Sequence, residues 1–477
     1  MGRALRPRGR ARVTLERLGG LLESDPGRVT VKPRFLHVDS RFVPEDRRVQ
    51  KAKARVGAWL RLRPRLFWAL VPLYRSAQRL RCRGLRTLLR PPKDRFLRSQ
   101  RLLTVPPSDI EYKTLLPGSV LRGRGCGWVL GGDWDALEHP FVNDRRFRSV
   151  RDVLISGSRW QDTEEYAEAL TTLERGLPVR HCWTREELDR RYDALDGLVE
   201  TIRREGYVTQ RELRRRRTPE AQLGRQDEIS VAVGRHGDVL YRDGAHRLAI
   251  AKLVGTPVLP VEVEVRHSEW MAFRLQIERY ASAHGGRVPQ PLLHPDLDDI
   301  PAAEGCETRF RSVIEALPAA GTVFDLAPGW GYFCQRLEGS GCSCTALESL
   351  ADAAGFLAKL RRACKRSFAI ISKDGLGALP EAQRTFESGL LMSDGLSAGA
   401  RLSPAEVLAA LPFVTVRQLF VEPEAFVGRA AAAGAERPKP ASFLEALAEA
   451  SGLHERACLG WSAEAGPLYR LYRLPPD

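Results

Sequence analysis

The hydrophobic pattern of residues 228–266 is that of a small mixed unit of strands and one helix. Short apolar runs of strand length are separated by turn residues, and one later run has apolar residues at helical spacing. Gly255, which follows the helical run, is a typical C-cap. The predicted elements are, in order, strand Ile229–Val233, turn Gly234–Asp238, strand Val239–Tyr241, turn and helix Asp243–Gly255, and strand Val258–Val265.

A second pattern begins after residue 320, where strands again alternate with helices. Thr322–Leu326 is an apolar run typical of a buried strand, Ala327–Phe333 is a turn rich in small residues, and Cys334–Glu338 has helical character. Further predicted strands are Cys344–Glu348, Phe386–Ser393, Val414–Pro423 and Pro467–Arg473. Strand, turn, helix and strand in this order predict the α/β fold class, with a Rossmann-like domain at the C-terminal end.

Prolines are concentrated between the two patterns, and we interpret residues 289–301 as a linker. Upstream, Arg185–Arg203 has helical periodicity, with Thr184 as its N-cap. The chain has 477 residues, enough for two to four domains. The predicted domains are a mostly helical N-terminal region 1–103, an α+β domain 104–290 and an α/β domain 291–477.

Charge is distributed unevenly along the chain. The net charge is +16, and the first 103 residues hold 28 basic against 7 acidic side chains. Around Leu66–Tyr74, arginines flank a short apolar run, which favours an anionic surface such as a membrane interface or a nucleic-acid backbone. The alternative is a helix that packs on the next domain and presents arginine to solvent.

Cysteine usage and hydropathy bear on the compartment. The nine cysteines are irregularly spaced and form no Cys-x-x-Cys, so we expect neither a disulfide framework nor a metal site. No apolar stretch is long enough to span a bilayer, and the N-terminus lacks the apolar segment of a secretory signal. We therefore expect a cytoplasmic protein that can be membrane-peripheral.

The turn before the helix of the first pattern carries candidate chemistry. Asp243 and Gly244 turn the chain so that the next residues open a helix, whose free N–H groups form an anion site. Arg247 can clamp a phosphate bidentately and His246 can act as a donor or acid. Alternatively, both side chains only brace the fold.

Residues 228–266 resemble the ParB/sulfiredoxin-like superfamily, whose members bind nucleotide phosphates at such a turn. The resemblance implies that Asp243, Gly244, His246 and Arg247 bind a phosphate or a nucleoside triphosphate. Ala245 stands where sulfiredoxins have a reactive cysteine, which excludes sulfiredoxin chemistry. ParB partition proteins have a helix-turn-helix domain after this segment. No such domain is recognisable here.

The turn of the second pattern has the context of a nucleoside cofactor site. Small residues let the backbone approach a ligand, and an acid at the end of the next strand can bind ribose hydroxyls. The segment resembles motif I of class I S-adenosylmethionine-dependent methyltransferases. The resemblance implies a cofactor site with the residues Asp325, Ala327, Gly329, Gly331 and Glu348, with Ala327 in place of the usual first glycine.

The leading hypothesis is therefore an S-adenosylmethionine-dependent methyltransferase with an attached phosphate-binding domain. Its acceptor is expected to be a small molecule or a glycan precursor, and its catalytic residues are unknown, although Asp394 can serve as a base. The alternative is a nucleotide-binding protein that acts on DNA or at a membrane, with an inactive methyltransferase-like domain. A third possibility is phosphoryl transfer or nuclease chemistry at a metal held by Asp227, Glu228 and Asp243.

Overall fold

The computed structural model describes Leu66, Leu70 and residues 102–116, 127–180, 182–216, 228–318, 320–392, 404–423, 439–462 and 466–473. The chain divides into two compact units, Met1–Leu275 and Gln276–Asp477. Most of the basic region 1–103, and with it the predicted surface for membranes or nucleic acid, lies outside the described residues. In the described part of the chain, no helix is both long and apolar enough to cross a membrane.

The first unit contains a five-stranded sheet. Its strands are β1 (Leu102–Val105), β2 (Trp128–Leu130), β3 (Ile229–Val233), β4 (Val239–Asp243) and β5 (Leu259–His267). The helices in this part of the chain are α1 (Arg145–Ser156), α2 (Glu164–Glu174), α3 (Arg185–Glu205), α4 (Gln210–Arg216), α5 (Ala245–Val254) and α6 (Ser268–Ala283). The strand order is β1-β5-β3-β4, and β2 pairs with the C-terminal end of β5.

The central strands of this sheet are buried on both faces, which explains their continuous apolar runs. All five residues of β3 are buried, and β3 pairs with β5 in parallel and with β4 antiparallel. The N–H of Gly234 donates to the carbonyl of Asp238 at 2.9 Å and closes the turn between β3 and β4. The strands, the turn and helix α5 therefore confirm the elements expected from the sequence.

The second unit has seven strands and six helices among the described residues. Its strands are β6 (Thr322–Asp325), β7 (Ser343–Leu347), β8 (Ala369–Ile371), β9 (Thr385–Leu391), β10 (Thr415–Val421), β11 (Glu455–Ser462) and β12 (Gly466–Tyr472). Its helices are α7 (Cys306–Ala316), α8 (Tyr332–Gly339), α9 (Ala351–Ala363), α10 (Lys373–Ala378), α11 (Pro404–Ala410) and α12 (Pro440–Ser451).

The seven-stranded sheet of this unit has the order β11-β12-β10-β9-β6-β7-β8. The strands from β10 to β8 pair in parallel, and only β12 runs antiparallel to its two neighbours. Consecutive residues enter different apolar clusters, Val323 on one face and Phe324 on the other. The sheet is therefore covered on both faces, as in a Rossmann-like α/β fold.

Candidate functional site

The turn between β6 and α8 is shaped by two glycines. Gly329 has φ +56° and Gly331 has φ +83°, the left-handed region that other residues rarely adopt. A Cβ atom on Gly331 would lie 2.5 Å from Cδ1 of Leu357. Gly331 is therefore required both by backbone conformation and by the close approach of helix α9.

The sheet topology places this turn where a ligand site is expected. From β6 the chain adds β7 and β8 on one side and then returns to add β9 on the other side of β6. Such a reversal opens a crevice at the carboxyl ends of the strands, where open α/β sheets bind ligands. The turn follows the carboxyl end of β6 and therefore borders this crevice.

Asp325, at the end of β6, faces inward. It is 1% exposed, and its carboxylate accepts hydrogen bonds from the N–H of Ala327 at 3.1 Å and from the thiol of Cys334 at 3.3 Å. Burial raises the pKa of Asp325 to about 6, because the charged form is poorly solvated there. These two hydrogen bonds hold the turn in place.

Glu348 lies directly after β7, the neighbour of β6. Asp325 pairs with Ala346 in the parallel register, so Glu348 is level with the start of the turn. The Glu348 side chain is half-buried, and its carboxylate accepts the N–H of Leu350 at 3.0 Å. Burial raises the pKa of this carboxyl. The structure therefore brings the predicted acid and the predicted turn together at neighbouring strand ends.

The linker interpretation of residues 289–301 is wrong. The N–H of Val288 donates to the carbonyl of Pro301 at 2.8 Å, which closes the segment into a loop. Buried side chains of this segment, such as Gln290 at 0% exposed, pack in the second unit. We call residues 288–301 the strap. Its prolines shape a folded loop instead of an open connection.

Gln290 of the strap caps the turn. Its side-chain oxygen accepts the N–H of Trp330 at 2.9 Å and the N–H of Tyr332 at 3.1 Å. No prediction was made from the sequence for these two N–H groups, and the structure shows that a side chain satisfies both of them. The helix N-terminus is satisfied by a side chain from outside the motif.

Two buried amide atoms beside the turn have no partner. Among the described residues, Nε2 of Gln290 and Oε1 of Gln335 make no hydrogen bond. Gln335 is 3% exposed, and its Nε2 reaches the carbonyl of Trp330 at 3.5 Å. One donor and one acceptor are thus left open, which is costly unless a ligand or water fills the position.

An aromatic group closes the same region. The ring of Trp330 lies 5.0 Å from that of Tyr280 and 4.8 Å from that of Phe356, and Trp330 is only 7% exposed. The indole lies between Gly329 and Gly331 in sequence and adds a bulky apolar side chain to the turn. The strap and this aromatic group therefore keep water away from the turn.

The β4–α5 turn of the first unit resembles the β6–α8 turn in its backbone. Gly244 has φ +96° and precedes helix α5, and its N–H donates to Oδ1 of Asp243 at 2.8 Å. Nη1 of Arg247 donates to the hydroxyl of Tyr207 at 3.4 Å, and this hydroxyl donates to Glu228 at 3.2 Å. These contacts favour the bracing role for Arg247, and phosphate binding by it stays a prediction.

His246 lies in a second, deeper group of side chains. Its Nε2 is 2.8 Å from Oε2 of Glu165, a residue of helix α2. Glu165 also pairs with Arg180 and, at 3.6 Å, with Arg146. Burial lowers the pKa of His246 well below its usual value, and the nearby arginines, Arg191 among them, act in the same direction.

Sequence spacing did not reveal Gln290, Glu165, Arg146 or Arg180 as site residues. Gln290 is 40 residues from Trp330, and Glu165 is 81 residues from His246. For Gln290 the sequence signal was composition, since it is a polar residue inside a proline-rich segment.

Two further residues that the sequence singled out, Asp227 and Asp394, lie outside the described residues. The proposed metal trio and the candidate base therefore have no structural account. Glu228 accepts the N–H of Gln210 at 2.7 Å. Within the described ranges, no group of three or more metal-ligating side chains comes together.

No family model matches this chain, and no curated protein matches its sequence. The chain is similar to solved structures of methyltransferases. The bifunctional kinase-methyltransferase WbdD is 16% identical with a TM-score of 0.26, over 39% of this chain and 43% of WbdD. The N-terminal domain of EvdMO1, crystallised with SAH and D-fucose, is 17% identical with a TM-score of 0.27, over 42% of this chain and 96% of that domain.

A TehB-like SAM-dependent methyltransferase from Corynebacterium glutamicum is 12% identical, with a TM-score of 0.25, over 42% of this chain and 96% of that protein. The match to WbdD spans less than half of that protein's length.

Proposed function

We propose that the second unit binds S-adenosylmethionine and that the protein is a methyltransferase. The observation that carries the proposal is the position of Glu348. A half-buried carboxylate at the end of β7 lies level with the glycine turn that follows β6, beside the reversal of strand order. A carboxylate in this position can accept hydrogen bonds from both hydroxyls of a ribose.

The residues around the turn fit the other end of that cofactor. The amino-acid part of S-adenosylmethionine carries a carboxylate and an ammonium group. Gln290 offers an open donor and Gln335 an open acceptor, both buried beside the turn. Because the oxygen of Gln290 accepts two N–H groups of the helix start, its amide is polarised, which strengthens Nε2 as a donor to an anion.

Each residue of the site then has a role that its own geometry supports. Glu348 orients the nucleoside, Gln290 orients the amino-acid end, and Asp325 holds the turn by its contact with the N–H of Ala327. The bound cofactor supplies an electrophilic methyl group on a sulfonium. The buried ring of Trp330 and the strap exclude water, so the rate would come from alignment and desolvation.

The proposal is tested by calorimetric titration of S-adenosylmethionine into the full chain. We expect saturable binding, weakened at least about tenfold by Glu348→Ala, because two hydrogen bonds to a charged group are lost. Glu315→Ala, at an exposed position of helix α7, is the matched control and should bind as the wild type does.

Absence of binding to the folded wild-type chain contradicts the proposal, as does equal binding by Glu348→Ala. If binding is found, methyl transfer is measured with the small molecules and glycan precursors that the sequence led us to expect. Circular dichroism of each variant establishes that a loss of binding is not a loss of folding.

A further inference from the structure

The first unit contains a buried carboxylate surrounded by cationic side chains. Glu165 is 1% exposed, and its two oxygens are contacted by Arg180, by His246 and, at 3.6 Å, by Arg146. The N–H of Glu165 donates to the hydroxyl of Ser149 at 3.4 Å. These contacts come from helices α1, α2 and α5 and from the segment after α2, so the tertiary fold assembles the group.

Two guanidinium groups contact one buried carboxylate in this group, and the carboxylate of Asp144 acts on His246 with the sign opposite to that of the arginines. Arg146 and Arg180 share the single carboxylate of Glu165, while the depressed pKa of His246 keeps the imidazole neutral at pH 7. Arg191 adds a further positive field at both His246 and Arg180. Burial and these like charges lower the pKa of Arg180 to about 10.

Arg180 is held in this position at a cost. Its φ is +49°, and it lies in a tight turn where Val179 and Cys182 exchange two backbone hydrogen bonds of 3.0 and 2.7 Å. A non-glycine residue in the left-handed region is strained, and such residues are concentrated at functional sites.

The two arginines remain accessible although the base of the group is buried. The side chain of Arg180 is 21% exposed and that of Arg146 is 39% exposed. Below them, His246 is packed edge-on against the rings of Trp160 and Tyr192, with centroids 6.5 and 6.4 Å away. A ligand can thus reach the guanidinium groups from solvent. The side chains beneath them are the Glu165–His246 pair and the two aromatic rings.

We infer that Arg146 and Arg180 form a binding site for a dianionic phosphate group, placed over the Glu165–His246 pair. Two guanidinium forks match the oxygens of a phosphate. This site uses arginines of α1 and of the Val179–Cys182 turn, distinct from Arg247. It does not depend on the proposed methyltransferase activity.

The inference is tested with inorganic phosphate and ribose 5-phosphate as probes, titrated into the full chain at pH 7.5 and constant ionic strength. Keeping the ionic strength fixed separates site binding from general screening. We expect saturable binding of at least one probe, weakened about tenfold or more by Arg180→Gln and by Arg146→Gln. If only ribose 5-phosphate binds, the ligand of the site is a phosphate monoester. If both probes bind equally, the site recognises the phosphate group alone.

Two further variants separate ligand binding from a structural role. Arg151→Gln removes an exposed arginine of the same helix that pairs with Asp152, and it should bind phosphate as the wild type does. Glu165→Gln removes the competing negative charge, so it should bind phosphate more tightly than the wild type although it folds less stably. Weaker or unchanged phosphate binding by folded Glu165→Gln, or unchanged binding by Arg180→Gln, overturns the inference.

Discussion

The β4–α5 turn of the first unit and the β6–α8 turn of the second unit share their local geometry. In each, a glycine of positive φ, Gly244 at +96° and Gly331 at +83°, ends a turn after a buried strand and starts a helix. Because the N-cap of each helix is a glycine, no N-cap side chain accepts a hydrogen bond from the helix. The two turns therefore offer the same backbone and the same positive helix end.

Their surroundings differ in charge. The turn of the second unit is capped by the neutral amide of Gln290 and covered by Trp330. The turn of the first unit lies beside an ionic group built on Glu165 and Arg180. The same helix start can thus be prepared for two kinds of ligand, because residues far away in sequence decide which charges stand around it.

The largest expected effect comes from the different room that the two turns leave for a Cβ atom. Gly331→Ala should lower the free energy of unfolding by about 3–4 kcal/mol, since the new Cβ meets both a left-handed backbone and Leu357. Gly244→Ala should cost about half as much, because the nearest atoms to its Cβ lie at 3.2 Å and include the end of the Arg247 side chain. Chemical denaturation measures both.

Gly355→Ala is the control for this pair. Gly355 lies exposed in helix α9, and a Cβ there meets nothing within 4 Å, so alanine should be neutral or stabilising by about 0.5–1 kcal/mol. If Gly331→Ala is as well tolerated as Gly355→Ala, the close approach of α9 to the turn is contradicted.

The next effect concerns pH and has opposite signs in the two units. The pKa of Asp325 is raised to about 6 from 3.8, so its stabilising contribution is complete below pH 3.8 and is lost as the pH rises through 6. The loss amounts to about 3 kcal/mol. Asp325→Asn should remove this dependence, which hydrogen exchange of peptides covering β6 and α8 would show.

His246 should respond in the other direction. Its folded pKa is well below 6.5, so its contribution is complete above that value and is lost as the pH falls below it. The groups whose charges act on this imidazole are Glu165, Arg146, Arg180, Arg191 and Asp144. Protection factors, which correct exchange for its intrinsic pH dependence, should therefore fall below pH 6.5 in peptides covering α5. Protection that is constant from pH 7 to 5 contradicts a neutral, buried imidazole.

A smaller effect tests the cap of the second turn. Gln290→Leu leaves the N–H groups of Trp330 and Tyr332 without an acceptor and should cost about 2 kcal/mol. Gln383→Leu, at an exposed position, should change stability by less than about 0.5 kcal/mol. A Gln290→Leu protein as stable as the wild type would mean that water or another group satisfies these N–H groups.

The sequence predicted the parts of the fold that have local signals. The apolar run of β3, the glycine that ends α5 and the glycine turn after β6 are all carried by neighbouring residues. The three-residue strand β8 was missed because it is too short for a pattern. The strand β11 was missed because its residues do not alternate and its position depends on pairing with β12.

The candidate sites divide in the same way. Gly331 and Glu348 were found from spacing, since one turn and the next strand end determine where they lie. Gln290, Glu165 and Arg180 reach their sites through tertiary packing over long sequence separations. Spacing along one chain does not record such contacts, so these residues became visible only with the fold.

A crossed titration tests whether the Glu348 site of the second unit and the Arg146–Arg180 site of the first unit bind different ligands. S-adenosylmethionine and phosphate are each titrated into the wild type, Glu348→Ala and Arg180→Gln. We expect Glu348→Ala to lose only S-adenosylmethionine binding and Arg180→Gln to lose only phosphate binding. A folded variant that loses binding of both ligands, or that still binds both as the wild type does, would contradict this expectation.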